Sequence, residues 1–315
     1  MSRATLVGAG GQDGRILRER LEKGGSAVLA ISRESVRATE PFTPGRMDIT
    51  DRACVLEAVK NWRPDQIYYL AAHHHSSQDP MGADNVGQFE KSHAIHMLGL
   101  LHFLEAIKDT TPQARLFYAA SSLVFGDVTS EMQDERTAMN PRCIYGITKA
   151  SGLHCCRFYR ETHGVFAAGG ILFNHESAYR QEKFVSQKII RAALEIAAGK
   201  REKLVLGDLS ARIDWGYAPD FTDAMTRVLA LDRADDFVIA TGEAHSVGEF
   251  VEIAFRLAGL DWKSHVEENP SVLQRRRPAL IGNASKLRAA TGWKPTVTFP
   301  EMVRLLLEAQ RQAAQ

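Results

Sequence analysis

Tyr145 and Lys149 lie four residues apart, so any helix that contains them presents both on one face, a turn from each other. A phenol titrates near pH 10, about three units too high for a base at neutrality. A neighbouring ammonium stabilises the phenolate and lowers that value. Such a pair can take a proton from a substrate hydroxyl while a hydride leaves the same carbon. A tyrosine and lysine at this spacing are common on ordinary helices; three further features, in chain order, give this pair its meaning.

The first is Gly8-Ala9-Gly10-Gly11-Gln12-Asp13-Gly14, between an apolar run and an amphipathic one. Gly8, Gly11 and Gly14 are spaced G-x-x-G-x-x-G. Glycines there permit a tight turn and let backbone approach a pyrophosphate seated on the amides of a helix N-terminus. The second is the end of the next apolar run, where an acid would hold the ribose 2′-hydroxyl of NAD. This chain has Ser32-Arg33 instead. A hydroxyl and a guanidinium suit a 2′-phosphate, so NADP is expected, with NAD the alternative. Asp48-Ile49 is expected to end the following strand and touch the adenine, and Leu70-Ala71-Ala72 puts small residues where a cofactor passes close to backbone. The third is Ser121-Ser122, just beyond another apolar run, as a hydrogen-bonding partner for a carbonyl oxygen.

The elements that position these residues alternate. Short apolar runs at 4–7, 27–31, 66–70, 115–119 and 165–171 read as strands. Helical patterns at 14–23, 52–62, 87–108 and 145–163 lie between them. That alternation implies parallel strands with right-handed crossovers, an α/β fold with a Rossmann-type doubly wound sheet. After Phe173 the pattern loosens. Helices at 184–199, 247–258 and 300–312 and strands at 203–206 and 237–240 suggest a smaller, discontinuous C-terminal substrate domain. The expected division is 1–172 with about 217–242 for the dinucleotide, and 173–216 with 243–315 for the substrate.

Bulk properties exclude several classes. Lys and Arg number 39 against 38 Asp and Glu, a net charge of +1, so no polyanion-binding surface and no nucleic-acid partner is expected. No apolar run is long enough to cross a membrane and no signal peptide precedes the first strand, which makes the cytoplasm the expected compartment. Cys54, Cys143, Cys155 and Cys156 show neither metal-ligand spacing nor a disulfide framework. His73-His74-His75 invites a metal, but consecutive residues of an extended chain point to opposite sides, so none is expected.

Together these residues resemble the extended short-chain dehydrogenase/reductases. Within them the chain is similar to the GDP-mannose 4,6-dehydratases. The similar stretches are Gly11-Gln12-Asp13-Gly14, the run from Gly170 to Ser177, Asp214-Trp215-Gly216, the run from Asp236 to Val247, and Gly292-Trp293-Lys294-Pro295. The resemblance implies a nucleotide-diphosphate sugar, a GDP-hexose, as substrate. Tyr145 would be the base at the sugar 4-hydroxyl, Lys149 would hold the nicotinamide ribose, and Ser121 would bond the 4-oxygen, with Ser122 beside the substrate. Asn174 would position the substrate near its diphosphate. Arg180 and Arg277 are candidate phosphate contacts, the latter in the run Arg275-Arg276-Arg277, whose charges repel unless an anion is near. A homodimer through the 87–108 and 145–163 helices is also implied.

The departures matter more than the matches. The dehydratases read Ser-Thr-x-Glu-x-Tyr-Gly where this chain has Ala120-Ser121-Ser122-Leu123-Val124-Phe125-Gly126. The glutamate that removes the C5 proton is Leu123, and losing such a base slows elimination by roughly 10²–10⁴. Hydride transfer at C4 needs only Ser121, Tyr145 and Lys149. A phosphate-facing arginine is replaced unless Arg212 turns in, and the shorter loop from Arg33 to Arg46 puts a tetramer in question. The expected activity is therefore NAD(P)-dependent hydride transfer at C4, as an epimerase or 4-ketosugar reductase. The alternatives are a dehydratase in which His75 or Glu176 substitutes for the glutamate, and a non-catalytic cofactor sensor.

Overall fold

The computed structural model describes residues 1–39, 47–73, 84–128, 130–272 and 279–313. Its first half runs β1 (Arg3–Val7), α1 (Gln12–Lys23), β2 (Ala27–Ile31), β3 (Val36–Ala38), α2 (Arg52–Trp62), β4 (Gln66–Tyr69), α3 (Asn85–His93), a π-helical turn (Ala94–Leu98), α4 (Gly99–Thr110), β5 (Arg115–Ala119), α5 (Ile144–His163) and β6 (Phe166–Leu172). It continues through β7 (Asn174–Glu176), α6 (Val185–Ala197), β8 (Leu204–Leu206), β9 (Arg212–Tyr217), α7 (Ala218–Leu229), β10 (Asp236–Ile239), β11 (Ala244–Ser246), α8 (Val247–Leu257), β12 (Val266–Glu268), α9 (Ser285–Thr291) and α10 (Phe299–Ala313).

Seven strands form the main sheet in the order β10-β6-β5-β4-β1-β2-β3, parallel except for β3, which runs against β2. This is the Rossmann-type α/β sheet. Every residue of β2 is buried, because helices cover both faces of a parallel sheet and a continuous apolar run is what such a strand requires. The chain moves outward from β1 to β2 and then returns to β4 on the other side of β1. The carboxyl ends of β1 and β4 therefore border a switch-point crevice, where ligands of open α/β sheets bind.

Two apolar clusters form. The first joins the main sheet and its helices and includes Leu17, Phe103, Phe117, Tyr118, Phe221, Ala284, Leu287 and Trp293. The second gathers Ile189, Ile190, Trp215, Phe250, Phe299, Val303 and Leu306 around two small sheets, β11-β9-β7 and β12-β8.

Three expectations are corrected. Asp48-Ile49 ends no strand: residues 47–50 turn, with the Asp48 carboxylate accepting from the Thr50 N–H and hydroxyl at 2.9 and 2.7 Å. An aspartate that can bond its own backbone two residues on favours a turn over a strand. The outer strand is instead the short antiparallel β3. The helix expected at 87–108 is interrupted by the π turn. And α7 was not foreseen, although Pro219 in its first turn and Phe221, Met225 and Val228 on one face mark it.

Asp214 on β9 ties the two clusters together. Its buried carboxylate accepts from the Thr241 N–H and hydroxyl at 3.0 and 2.6 Å, and from the Gly242 and Gly282 N–H groups at 3.1 Å each. Replacing it by alanine strands three backbone donors, so Asp214→Ala should lower the unfolding free energy by about 3 kcal/mol. Urea denaturation followed by circular dichroism measures this; a loss within experimental scatter would contradict it.

Candidate active site

A cleft of about 1550 Å³ runs along the carboxyl ends of β1, β2, β4 and β5 and continues toward β7 and β9. Its lining includes Gly8, Gly11, Gln12, Asp13, Gly14, Ser32, Arg33, Asp48, Ile49, Leu70, Ala71 and Ala72. Ser121, Ser122, Leu123, Tyr145, Lys149, Asn174, Arg180 and Arg212 line it as well. Every candidate named from sequence is thus brought to one cleft except Arg277, which lies outside the described residues, as do His74 and His75.

The glycine loop is built as a cradle. Gly8 has φ +97, and a Cβ there would lie 2.7 Å from the Ala71 nitrogen, so the exit of β4 presses on the loop where no side chain fits. Gly11 caps α1 without a side-chain bond, leaving the first-turn amides of that helix facing the cleft. These features fit a dinucleotide pyrophosphate. An acid at such an anion site is costly, and Asp13 is partly buried there. His175 offsets it: Nε2 lies 3.1 Å from both carboxylate oxygens, and Nδ1 donates to the Phe173 carbonyl at 2.7 Å. With an acceptor on each nitrogen the imidazole is held charged. Burial disfavours that charge, but Asp13 outweighs it and raises the His175 pKa; His175 and Arg180 likewise outweigh burial and lower that of Asp13. The same segment is bolted to α1 by Gln12 Nε2 donating to the His175 carbonyl (3.0 Å), and by the Ser177 and Tyr179 hydroxyls donating to Gln12 (2.9 Å) and Glu19 (2.9 Å).

At the end of β2, the Ser32 hydroxyl donates to the Ser35 carbonyl at 2.9 Å and closes a tight turn into β3, leaving Arg33 exposed on the cleft rim. At the other end of the cleft, Ser121 opens a 3₁₀ turn, Ser122–Val124, and its Oγ accepts from the Leu123 N–H at 3.3 Å. Leu123 is pressed against the start of α5: a Cβ on Gly146 would lie 2.4 Å from the Leu123 carbonyl oxygen. Cys143 caps α5 through Sγ, which accepts from the Gly146 N–H at 3.4 Å.

Tyr145 and Lys149 share a face of α5, with the ammonium 5.8 Å from the Tyr145 ring centre, but their electrostatics reverse the expectation. Lys149 is fully buried; its ammonium donates to the Ala119 carbonyl at 2.6 Å and lies 4.9 Å from the Tyr118 ring centre. Burial pulls its pKa down to about 7. Burial also pushes the Tyr145 hydroxyl well above the phenol range; Arg180 opposes that shift, while Asp13 and Cys143 add to it. In this state the phenol keeps its proton at neutral pH, and the lysine does not lower it.

Arg180 stacks on Phe184, with 3.7 Å from guanidinium carbon to ring centre, and pairs with Glu176 at 3.5 Å; its buried Nε has no hydrogen-bond partner among the described residues. Glu176 also accepts from the Ser186 hydroxyl at 2.6 Å. Arg212 is exposed and donates to the Ala244 carbonyl. His175 lies within a stretch quoted above, but its partnership with Asp13 was not read. His96, in the π turn, was missed altogether: it is fully buried and its ring meets Tyr145 edge-on at 5.1 Å. Among the described residues no three His, Cys, Asp or Glu side chains converge as metal ligands, and no helix is long and apolar enough to cross a membrane.

A family profile described as GDP-mannose 4,6 dehydratase matches residues 6–306. GDP-mannose 4,6 dehydratase 2 of Arabidopsis thaliana is 34% identical over 335 aligned positions, covering 99% of this chain and 87% of that protein. The human GDP-mannose 4,6 dehydratase is 33% identical, covering 97% and 90%. Among solved structures, RMD from Pseudomonas aeruginosa complexed with NADPH superposes with a TM-score of 0.81 at 20% identity, over 99% of this chain and all of that one. A UDP-glucose 4-epimerase from Thermotoga maritima with UDP-glucose gives 0.84 at 18% identity, over 99% and 100%.

The Asp13–His175 pair has a defined pH window. His175 has a raised pKa, so its contribution is complete below the unfolded value near 6.5 and is lost as pH rises through the folded one. Asp13 has a lowered pKa, so its contribution is complete above about 3.9 and is lost as pH falls through the folded value. The stability difference between wild type and Asp13→Asn should therefore be largest, about 2 kcal/mol, between about pH 4 and 6.5 and shrink on either side. Urea titrations at pH 5, 7 and 9 check it; a difference that grows toward pH 9 would overturn the assignment.

Proposed function

Within the GDP-mannose 4,6-dehydratase family of NAD(P)-dependent nucleotide-sugar enzymes, to which the chain belongs, we propose that this protein transfers hydride at C4 of a GDP-linked hexose without eliminating water. It acts as a 4-ketosugar reductase or 4-epimerase. The observation that carries this is the polar inventory of the cleft around Leu123. Of the lining carboxylates, Asp13 is held by His175, Glu176 by Ser186 and Arg180, and Asp127 by Arg142 at 2.9 Å. Asp208 bonds Ser210 and Asp48 bonds Thr50, while Glu34 sits on the β2–β3 turn, beside Ser32 and Arg33. No carboxylate stands at position 123, and the described lining carboxylates other than Glu34 have partners, whereas Ser121, Tyr145 and Lys149 all line the cleft.

The chain's residues divide the work. The amides of the α1 first turn and Gly8, Gly11 and Gly14 hold the cofactor's pyrophosphate, Ser32 and Arg33 its 2′-phosphate, and Leu70, Ala71 and Ala72 its path to the catalytic end. Bound NADP(H) supplies or takes the hydride. Ser121 donates to the 4-oxygen, and Tyr145, protonated at neutral pH, gives that oxygen its proton as a ketone is reduced. Lys149 keeps Tyr145 and the ribose in place. Arg180, with an unsatisfied buried donor on the cleft, meets the substrate diphosphate, with Asn174, Arg212 and Arg277 around it.

The first apolar cluster serves the cofactor and the second the nucleotide sugar. Exposed Val86, Phe89, Leu98, Ile147 and Phe158, on α3, the π turn and α5, support a homodimer through these helices, in the cytoplasm. A second reading, a working dehydratase, is favoured by the names of the relatives at 33–34% identity.

NMR of the sugar separates the readings. Protein with NADPH and the 4-keto-6-deoxy product of GDP-mannose should yield a 4-hydroxyl sugar, and Tyr145→Phe should cut the rate by about 10²–10⁴. A 6-deoxy-4-keto product from GDP-mannose and NADP⁺ would refute the proposal and establish the second reading. Leu123→Glu should create or raise dehydration; unchanged product would show that position 123 does not control elimination. Arg33→Ala should weaken NADPH about tenfold while leaving NADH within twofold, by fluorescence titration.

A further inference from the structure

His96 is fully buried in the five-residue π turn between α3 and α4. Such turns are rare within helices and frequent at functional sites. Two phenols from the sheet serve its carbonyls: Tyr69 on β4 donates to the Ile95 carbonyl at 2.5 Å, and Tyr118 on β5 to the His96 carbonyl at 3.2 Å. Both ring nitrogens are committed. Nε2 lies 2.8 Å from the backbone nitrogen of His73 and must accept, which leaves Nδ1 as the protonated nitrogen. Nδ1 donates to Thr148 Oγ1 at 2.7 Å, and the single proton of that hydroxyl is shared between the carbonyls of Ile144 (2.9 Å) and Tyr145 (3.1 Å). The neutral ring then packs against the Tyr145 ring, centroids 5.1 Å apart and planes crossing at 83°. One imidazole therefore touches the exit of β4, the residue next to Lys149, and the ring of Tyr145.

From this arrangement we infer that His96 is a positioning residue, which fixes the aim of the Tyr145 hydroxyl and couples it to the backbone just beyond Ala71 and Ala72. The inference rests on reading Tyr145 as the group that exchanges the proton. The Tyr145 ring has its edge-on neighbour in a side chain whose own orientation is set from two elements, β4 through His73 and α5 through Thr148. Without that imidazole, the His73 N–H loses its acceptor and the tyrosine gains a rotational freedom that a proton transfer at near-contact distance does not tolerate.

The test uses the full chain. His96→Leu fills the space but makes neither bond; it should lower kcat about ten- to a hundredfold while the NADPH dissociation constant moves less than threefold. His96→Gln places an amide oxygen near the Nε2 position, where it accepts from His73, but brings no ring against Tyr145, so it should recover only part of kcat. Thr148→Val removes the Nδ1 link together with the hydroxyl's bonds to the α5 carbonyls, leaves the His73 acceptor in place and should cost a smaller factor, which keeps the test open if His96→Leu folds poorly. The ring carbons of ¹³C-labelled Tyr145, assigned with Tyr145→Phe, supply a readout that needs no turnover: their resonance should move in both His96→Leu and His96→Gln, since neither supplies a ring, and less in Thr148→Val. An unmoved Tyr145 resonance, or kcat and cofactor affinity falling in step across the series, would overturn the inference. Wild type that turns over no nucleotide sugar would strike the proposed function instead, and the resonance would still decide the role of His96.

Discussion

The cleft depends on one buried ion pair. Asp13 sits in the first turn of α1, where pyrophosphate amides and an acid compete for the same positive end of a helix. Left alone, a buried carboxylate there would repel the ligand and cost several kcal/mol in desolvation. His175 removes both problems by carrying a charge fixed between Asp13 and the Phe173 carbonyl and stacking on Phe221 at 4.5 Å. The pair also joins the glycine loop to the segment that leads from the first apolar cluster into the second. The two sides of the cleft are thereby held in one register, with Gln12, Ser177, Tyr179 and Glu19 reinforcing it.

At the catalytic end, desolvation dominates charge. A lysine one turn from a tyrosine is usually read as an acidifying neighbour, and in water that reading would hold. Here Lys149 lies against the carboxyl end of β5 with Ala119 and Tyr118 as its company, and burial disfavours its charge. Burial therefore favours the protonated phenol of Tyr145 in this state. Leu123, whose carbonyl is pressed against Gly146, gives this part of the cleft an apolar lining.

Much of the fold was readable because parallel sheets leave a coarse trace. The continuous apolar run of β2, the amphipathic α2 and the strand of β5 appear where the pattern puts them, since each must be buried in one way only. Elements with weaker local signals escaped. β3 and β7 have three residues each and form by pairing with a neighbour, not by their own pattern. The π turn has carbonyls that accept from tyrosines on β4 and β5, contacts that no helical periodicity reports.

Residue types alone pointed to the dinucleotide loop and to Ser121, Leu123, Tyr145 and Lys149 as candidates, because such readings depend on short spacings and on which side chains can exchange a proton. Partners distant in the chain were decided only by the tertiary structure. His175 reaches Asp13 across 162 positions and His96 reaches Thr148 across 52. The sign of the shifts at Tyr145 and Lys149 belongs to the same class, since burial is a property of the packed molecule and no local spacing encodes it.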